Sequence, residues 1–309
     1  MSDSVAPPRQ DGGGFDLSRL LPRRSFGLKL MLVCLLALLM AIPAAFVWGL
    51  VSNRYASANA AIADVMQARG GPQDLMGPAI VVPFERDVIV TALDQTRAVQ
   101  TVHGRMVLYP ERGTAEAQLT TEMLKRGLHN VPTYLADVDF TASFDPSRLA
   151  TEAPDGARIK WSEARILMSM SDLRGAKIAD IRVAGRALSV APVEVQAASV
   201  SSVPLSVRPL MGALLGWTDQ PPAGPLQAQA ALSVSGAQRI TLAAFARDTT
   251  ITMKGNWASP KFDGGGLPDK RTVTKQDFSA EWTIPFLARG APGVGADLGL
   301  RPALTWRST

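Results

Sequence analysis

Cysteine is almost missing from this sequence: its 309 residues include one, Cys34, and that one lies inside an apolar run. The rest of the chain therefore forms no disulfide, supplies no thiolate metal site and has no cysteine nucleophile. This scarcity fits either side of a membrane, since exported domains also do without cysteine. Histidine is nearly as rare. His103 and His129 are the only two, and neither sits in an HExxH pattern or at a spacing that puts two ligands on one face, so a structural or solvent-facing role is the reading for each. There is no GxSxG elbow, and nothing marks a Ser-Lys pair. Lys plus Arg number 32 against 27 Asp plus Glu, a surplus of five spread thinly with no basic run beyond Arg23-Arg24, which excludes nucleic acid as a partner. No metal or other cofactor is implied.

One long apolar run is present. Residues 30–51, LMLVCLLALLMAIPAAFVWGLV, carry no charge over 22 positions. As a helix rising about 1.5 Å per residue they span roughly 33 Å, enough to cross a bilayer. A signal-peptide core is shorter and needs a small-residue cleavage site that does not follow here. A lipoprotein signal needs a small residue before Cys34, where Val33 stands, and a core helix would show a polar face. Arg19, Arg23, Arg24 and Lys29 precede the run and only Arg54 follows it closely, so the positive-inside rule places the N-terminus in the cytoplasm and everything beyond residue 52 outside it.

The exported part reads as strands. In YLADVDFTASF, Tyr134, Ala136, Val138, Phe140, Ala142 and Phe144 fall on one face, and Asp137, Asp139, Thr141 and Ser143 on the other. The same period recurs at Ile251 and Met253, and at Phe278, Ala280, Trp282 and Ile284. Turn signals at Asp145-Pro146, Asp155-Gly156 and Pro221-Pro222 are spaced as in sandwich or barrel domains. The expected fold is mainly β: a single transmembrane helix followed by an extracytoplasmic β-sandwich-like domain. Residues 185–238 are where a boundary between two lobes would fall, with 221–225 as the connector.

Residues 70–84, GGPQDLMGPAIVVPF, invite comparison with a phosphate-binding loop. Such loops follow a strand and open a helix, whose N-terminus holds the anion. Here the order is reversed, with a helical pattern before Gly70 and a β-like run from Ala79 to Phe84, so the stretch reads as a joint. Gly70-Gly71-Pro72 stops the helix, and Gly77-Pro78 turns the chain into the first strand. Four residues stand out as possible ligand or partner contacts. Asp172 and Arg174 in SMSDLRG are two apart near a turn, where Asp commonly bonds its own backbone. Arg126 precedes a turn glycine. Trp257 opens WASPKFDGGGLP, which reads either as an aromatic platform for glycan or peptide or as a long loop pinned by the tryptophan.

The joint also carries a resemblance. GGxQxLxGP at 70–78, with PF at 83–84, resembles the entry motif of the CreD family of inner-membrane proteins. Further stretches are similar to that family in the same order: LYPE at 108–111, RGL at 126–128 with VPTY at 131–134, SDLRG at 171–175, WASPKFxG at 257–264, FSAEW at 278–282 and LAR at 287–289. Together they cover roughly residues 26–292. The resemblance implies inner-membrane localisation and a role in cell-envelope integrity or envelope stress response. Family members continue into a block of several transmembrane helices, whereas the residues here end at GVGADLGLRPALTWRST, so a short member or a shortened chain is expected. The expected organisation is a cytoplasmic tail (1–27), a transmembrane helix (28–51), a membrane-proximal helix (52–72), a periplasmic β-rich domain (73–292) and a C-terminal tail (293–309). The leading expectation is a non-enzymatic protein that contacts the lipid bilayer and an envelope or inner-membrane protein partner. An extracytoplasmic hydrolase of an envelope polymer or peptide is the alternative. An adaptor of an efflux or secretion machine would need long heptad hairpins, which are absent.

Overall fold

A computed structural model describes residues 26–91, 97–193, 210–218, 220–264, 266–289, 293–295 and 302–308. The expected cytoplasmic tail, with Arg19, Arg23 and Arg24, lies outside the described residues as far as residue 25, as does 194–209 within the expected lobe boundary. The elements run α1 (Phe26–Arg69), β1 (Gln73–Thr91), β2 (Arg97–Leu108), β3 (Arg112–Arg126), β4 (His129–Phe144), α2 (Ser147–Thr151), β5 (Arg158–Ile159), β6 (Arg165–Met170), β7 (Ala176–Val183), β8 (Arg186–Leu188), β9 (Ala191–Val193) and β10 (Leu210–Leu214). They continue with β11 (Leu226–Ala237), β12 (Arg239–Ala243), β13 (Asp248–Gly255), β14 (Pro260–Gly264), β15 (Lys270–Val273), β16 (Phe278–Ile284), α3 (Phe286–Arg289), β17 (Val294–Gly295) and β18 (Pro302–Ser308).

Two compact units divide the chain at Ala58 and Asn59. The first contains the apolar part of α1, the one described helix long and apolar enough to cross a membrane. Its large side chains are exposed all round, among them Phe46, Trp48 and Leu38, as lipid-facing residues are. The apolar span and the residues expected to follow it as a membrane-proximal helix lie in one unbroken α1. It ends where Gly70, at φ +92°, donates its N–H to Met66 O at 3.0 Å. That backbone conformation favours glycine and closes the helix.

The second unit is two β-sheets over one core. One sheet has the order β15-β16-β13-β3-β4-β11-β7-β8. The other runs β14-β18-β12-β1-β6-β10-β9, with β2 and β5 also paired to β1. β1 with β12 and β3 with β13 are parallel pairs. In the first sheet the period-two pattern becomes a buried face and a solvated face: Ala136, Val138, Phe140, Ala142 and Phe144 are buried while Asp137, Asp139 and Thr141 are exposed. In the second sheet both faces of the central strand are covered, so Ala79, Ile80, Val81 and Val82 are all buried. Side chains from both sheets join a single apolar cluster, so what reads as two lobes is two sheets of one body. Residues 221–225 connect β10 of one sheet to β11 of the other.

Two local expectations change. The first strand starts at Gln73, and Gly77-Pro78 lies inside it, where the β1–β6 register shifts between Met76 and Ala79. A bulge tolerates a proline that cannot donate to the ladder, so the pair kinks a strand instead of opening one. Within 293–309, set apart in sequence as a tail, β18 pairs with β12 and β14.

Phe245, just beyond β12, packs between the sheets against Gly77 of one and Gly113 of the other, where a Cβ would come within 2.7 and 2.6 Å of its ring. It meets Phe140 edge to face, with centroids 5.5 Å apart, and is almost fully buried. Phe245→Ala should lower unfolding free energy by about 3–5 kcal/mol through the cavity it leaves. Denaturant titration of the purified chain, followed by tryptophan fluorescence, measures this.

Candidate functional site

The joint between α1 and β1 is built around Gln73, whose side chain is fully buried. Its Nε2 donates to Asp172 O at 3.3 Å and to Ser235 O at 3.4 Å, and its Oε1 accepts from Asp172 N at 3.3 Å with Ser171 Oγ also 3.3 Å away. The amide thus spends both donors and its acceptor on three backbone groups and a hydroxyl. Around it, Ser171 Oγ donates to Pro72 O at 2.9 Å and accepts from Asp74 N at 2.8 Å. Ser235 Oγ donates to Arg69 O at 2.7 Å, the last residue of α1, and Ala237 N donates to Gly71 O at 3.2 Å. Gly175 is glycine because a Cβ there would lie 2.4 Å from Ser235 O and 2.6 Å from Gln73 Nε2. Tyr134 closes the node: its hydroxyl donates to Arg239 O at 2.6 Å, and burial pushes its pKa up.

The four residues singled out in sequence do not converge. Asp172 and Arg174 do meet: Asp172 caps a single 3₁₀ turn (Leu173–Gly175), accepting from Arg174 N at 3.0 Å and from the guanidinium at 2.8 and 3.0 Å. The Arg174 hydrogen bond holds the Asp172 carboxyl below the usual range. A carboxylate held anionic in this way is a poor general acid at neutral pH. Arg126, at the tip of the β3–β4 hairpin, reaches Asp64 of α1 at 3.2 Å, both side chains being solvated. Trp257 packs partly buried against the core, its Nε1 donating to Ser259 O at 3.1 Å, and Asn256 beside it is tied to Thr121 at 2.6–2.9 Å. Phe262 of the same stretch lies in β14 and stacks edge-on against Phe278 and Trp282, so its ring serves the core rather than a platform. His103 lies 3.4 Å from Glu85 on β2, and His129 lies on the other sheet, so the two histidines share no site. Among the described residues no group of three or more His, Cys, Asp or Glu could hold a metal.

Two further features escape a local reading. Glu111 pairs with Arg148, which also holds Glu152 at 2.6 Å, and with Arg247 at 3.5 Å. Alongside, the guanidinium of buried Arg289 lies 4.1 Å over the ring of Tyr109, and burial lowers its pKa. The LYPE and LAR stretches therefore meet in space, as the GGxQ and SDLRG stretches do. The second feature is exposed apolar surface on hairpins. Leu128 at the β3–β4 tip is 96% exposed, and Ile89 and Val99 on the β1–β2 ribbon are 69% and 71% exposed.

A family model described as "Inner membrane protein CreD" matches residues 25–301, most of the chain. The chain belongs to the CreD family. The inner membrane protein CreD of Escherichia coli (strain K12) is 29% identical over 231 residues, covering 72% of this chain and 47% of that protein. The chain thus spans about half the length of this relative. Among solved structures, an M1 zinc metallopeptidase from Deinococcus radiodurans aligns over 65% of this chain and 42% of its own, at 11% identity and a TM-score of 0.31. That likeness is too slight to carry an argument.

Gln73→Leu keeps the volume but takes the amide from the Ser235 carbonyl and the Asp172 N–H, and should cost about 1–3 kcal/mol for each group left without a partner. Arg174→Ala, which removes a mostly solvated guanidinium, should change stability far less than Gln73→Leu. Chemical denaturation separates the two. A pH prediction comes from the β1–β2 ribbon, where Asp87 accepts from Arg158 at 2.8 Å and from Thr101 at 2.7 Å. These bonds, Arg158 first, lower its pKa from 3.8 to about 2. The stabilisation is therefore complete above pH 3.8 and is lost as pH falls through about 2. Carboxyl NMR titration should find a midpoint near 2 that moves up towards 3.8 in Arg158→Ala.

Proposed function

We propose that this CreD-family chain is held in the inner membrane by α1, N-terminus in the cytoplasm and β body in the periplasm, and that the body serves envelope integrity or stress response by contacting another envelope or inner-membrane protein. The orientation rests on the basic residues before the apolar run and their near absence after it. The contact reading rests mainly on one observation: the charged residues that could do chemistry are already engaged with one another. Asp172 is held by Arg174, Arg126 by Asp64, and Glu111 by Arg148 and Arg247. The apolar residues Leu128, Ile89 and Val99 are instead left in solvent on projecting hairpins, as contact residues are.

Two measurements test the proposal. A photo-crosslinking amino acid at Leu128 or at Leu287, 89% exposed, should give discrete protein adducts in living cells. Purified chain should leave peptidoglycan and peptides unhydrolysed. Hydrolysis that disappears in Asp172→Ala, with no adduct from either position, would replace this reading with the hydrolase.

A further inference from the structure

We propose that the open edge of β2, residues 97–104, takes up an extended segment of an envelope protein in which acidic and apolar residues alternate, adding it to the β1–β2 ribbon as a third strand. This rests on the contact reading above and names the chemistry of one partner.

The ribbon is unusually long and poorly supported. β1 and β2 stay in antiparallel register through twelve pairs, from Ile80 opposite Leu108 to Thr91 opposite Arg97. β6 runs beside β1 only as far as Val81, and β5 meets it at Phe84 and Glu85. On the β2 side, β17 pairs only with Val107 and Leu108. From Arg86 outward two strands stand without a described neighbour, and Arg97–His103 are exposed at seven successive positions, so neither face of that stretch is covered. A two-stranded ribbon alone is marginal in water, and an open edge rich in Val and Ile is one that proteins normally shield. Ile89 and Val99 are register partners on one face, and Val90 and Val102 add exposed apolar surface on the other.

Charge selects both the edge and the occupant. The ribbon's acids are engaged: Glu85 by Lys160 at 3.2 Å and by His103 of β2 at 3.4 Å, Asp87 by Arg158 at 2.8 Å. The β5 segment with Arg158 and Lys160 takes the β1 edge as far as Glu85, whereas among the described strands none takes the β2 edge from Arg97 to Met106. With its carboxylates neutralised, the ribbon presents Arg86 and Arg97, and among the described residues no carboxylate forms an ion pair with either. A second copy added in parallel register would set Arg97 against Arg97, which opposes that self-pairing. An acidic strand is attracted. Main-chain hydrogen bonds to β2 supply the affinity, and alternate side chains supply the choice, acids on the face of Arg97 and apolar residues on the opposite face beside Val102.

The test uses the full chain in lipid nanodiscs and two fluorescein-labelled heptapeptides, one alternating Val with Glu and one alternating Val with Lys. Anisotropy should show saturable binding of the Glu peptide, at least tenfold tighter than the Lys peptide and weakened by added salt. Arg97→Glu, at an exposed position, should abolish or reverse that preference, whereas Leu267→Glu elsewhere on the surface should leave it intact. Hydrogen exchange of β2 amides should slow when the Glu peptide is bound. Absence of binding, equal binding of both peptides, or a preference untouched by Arg97→Glu would overturn the proposal. Such a failure alongside adducts from Leu128 or Leu287 removes this site only. Failure of both removes the contact reading as well.

Discussion

A single buried amide, Gln73, decides how helix and sandwich are joined. A helix end and three chain segments converge on this point, each bringing backbone groups that must find partners out of water. Gln73 satisfies the Asp172 and Ser235 carbonyls and the Asp172 N–H together, and Ser235 in turn holds the last carbonyl of α1. Without the amide, β1 would enter the sheet beside an unpaired Ser235 carbonyl and Asp172 N–H, and the strand that forms most of the second sheet's ladder would lose its fixed starting register.

The same economy explains why the conspicuous charges offer so little chemistry. Stretches far apart in sequence pack in pairs, GGxQ on SDLRG and LYPE on LAR, and their polar atoms are used in holding those pairs together. Arg174 holds Asp172 anionic further into acid than an ordinary carboxylate, and Arg289 is tolerated in the interior because it lies on the face of Tyr109. Capacity for contact then passes to the hairpins, whose apolar residues no part of the described body covers.

The sequence revealed the fold unevenly, for physical reasons. β4, β13 and β16 are legible because one face is wet and the other dry, which writes a period of two into the residues. β1 is buried on both faces through Val82, so its continuous apolar run there hides its pleat, and Gly77-Pro78 resembles a strand start because a bulge and a turn use the same residues. The Asp172–Arg174 pair is readable, being local. The partnerships of Gln73 with Ser235, 162 residues away, and of Arg126 with Asp64, 62 away, depend on strand order and register, which no short window encodes. The length of the β1–β2 ribbon is hidden likewise, because its alternation looks the same whether or not a core lies beneath it.

The central claim is that residues 70–76 form a fixed joint, neither a ligand loop nor a hinge. Hydrogen exchange of the full chain in nanodiscs tests it most directly. Amides of Gly71 and of residues 73–76 should be protected to the same degree as those of β6 in the adjoining ladder. Exchange there at the rate of an exposed loop, with β6 still protected, would contradict the account.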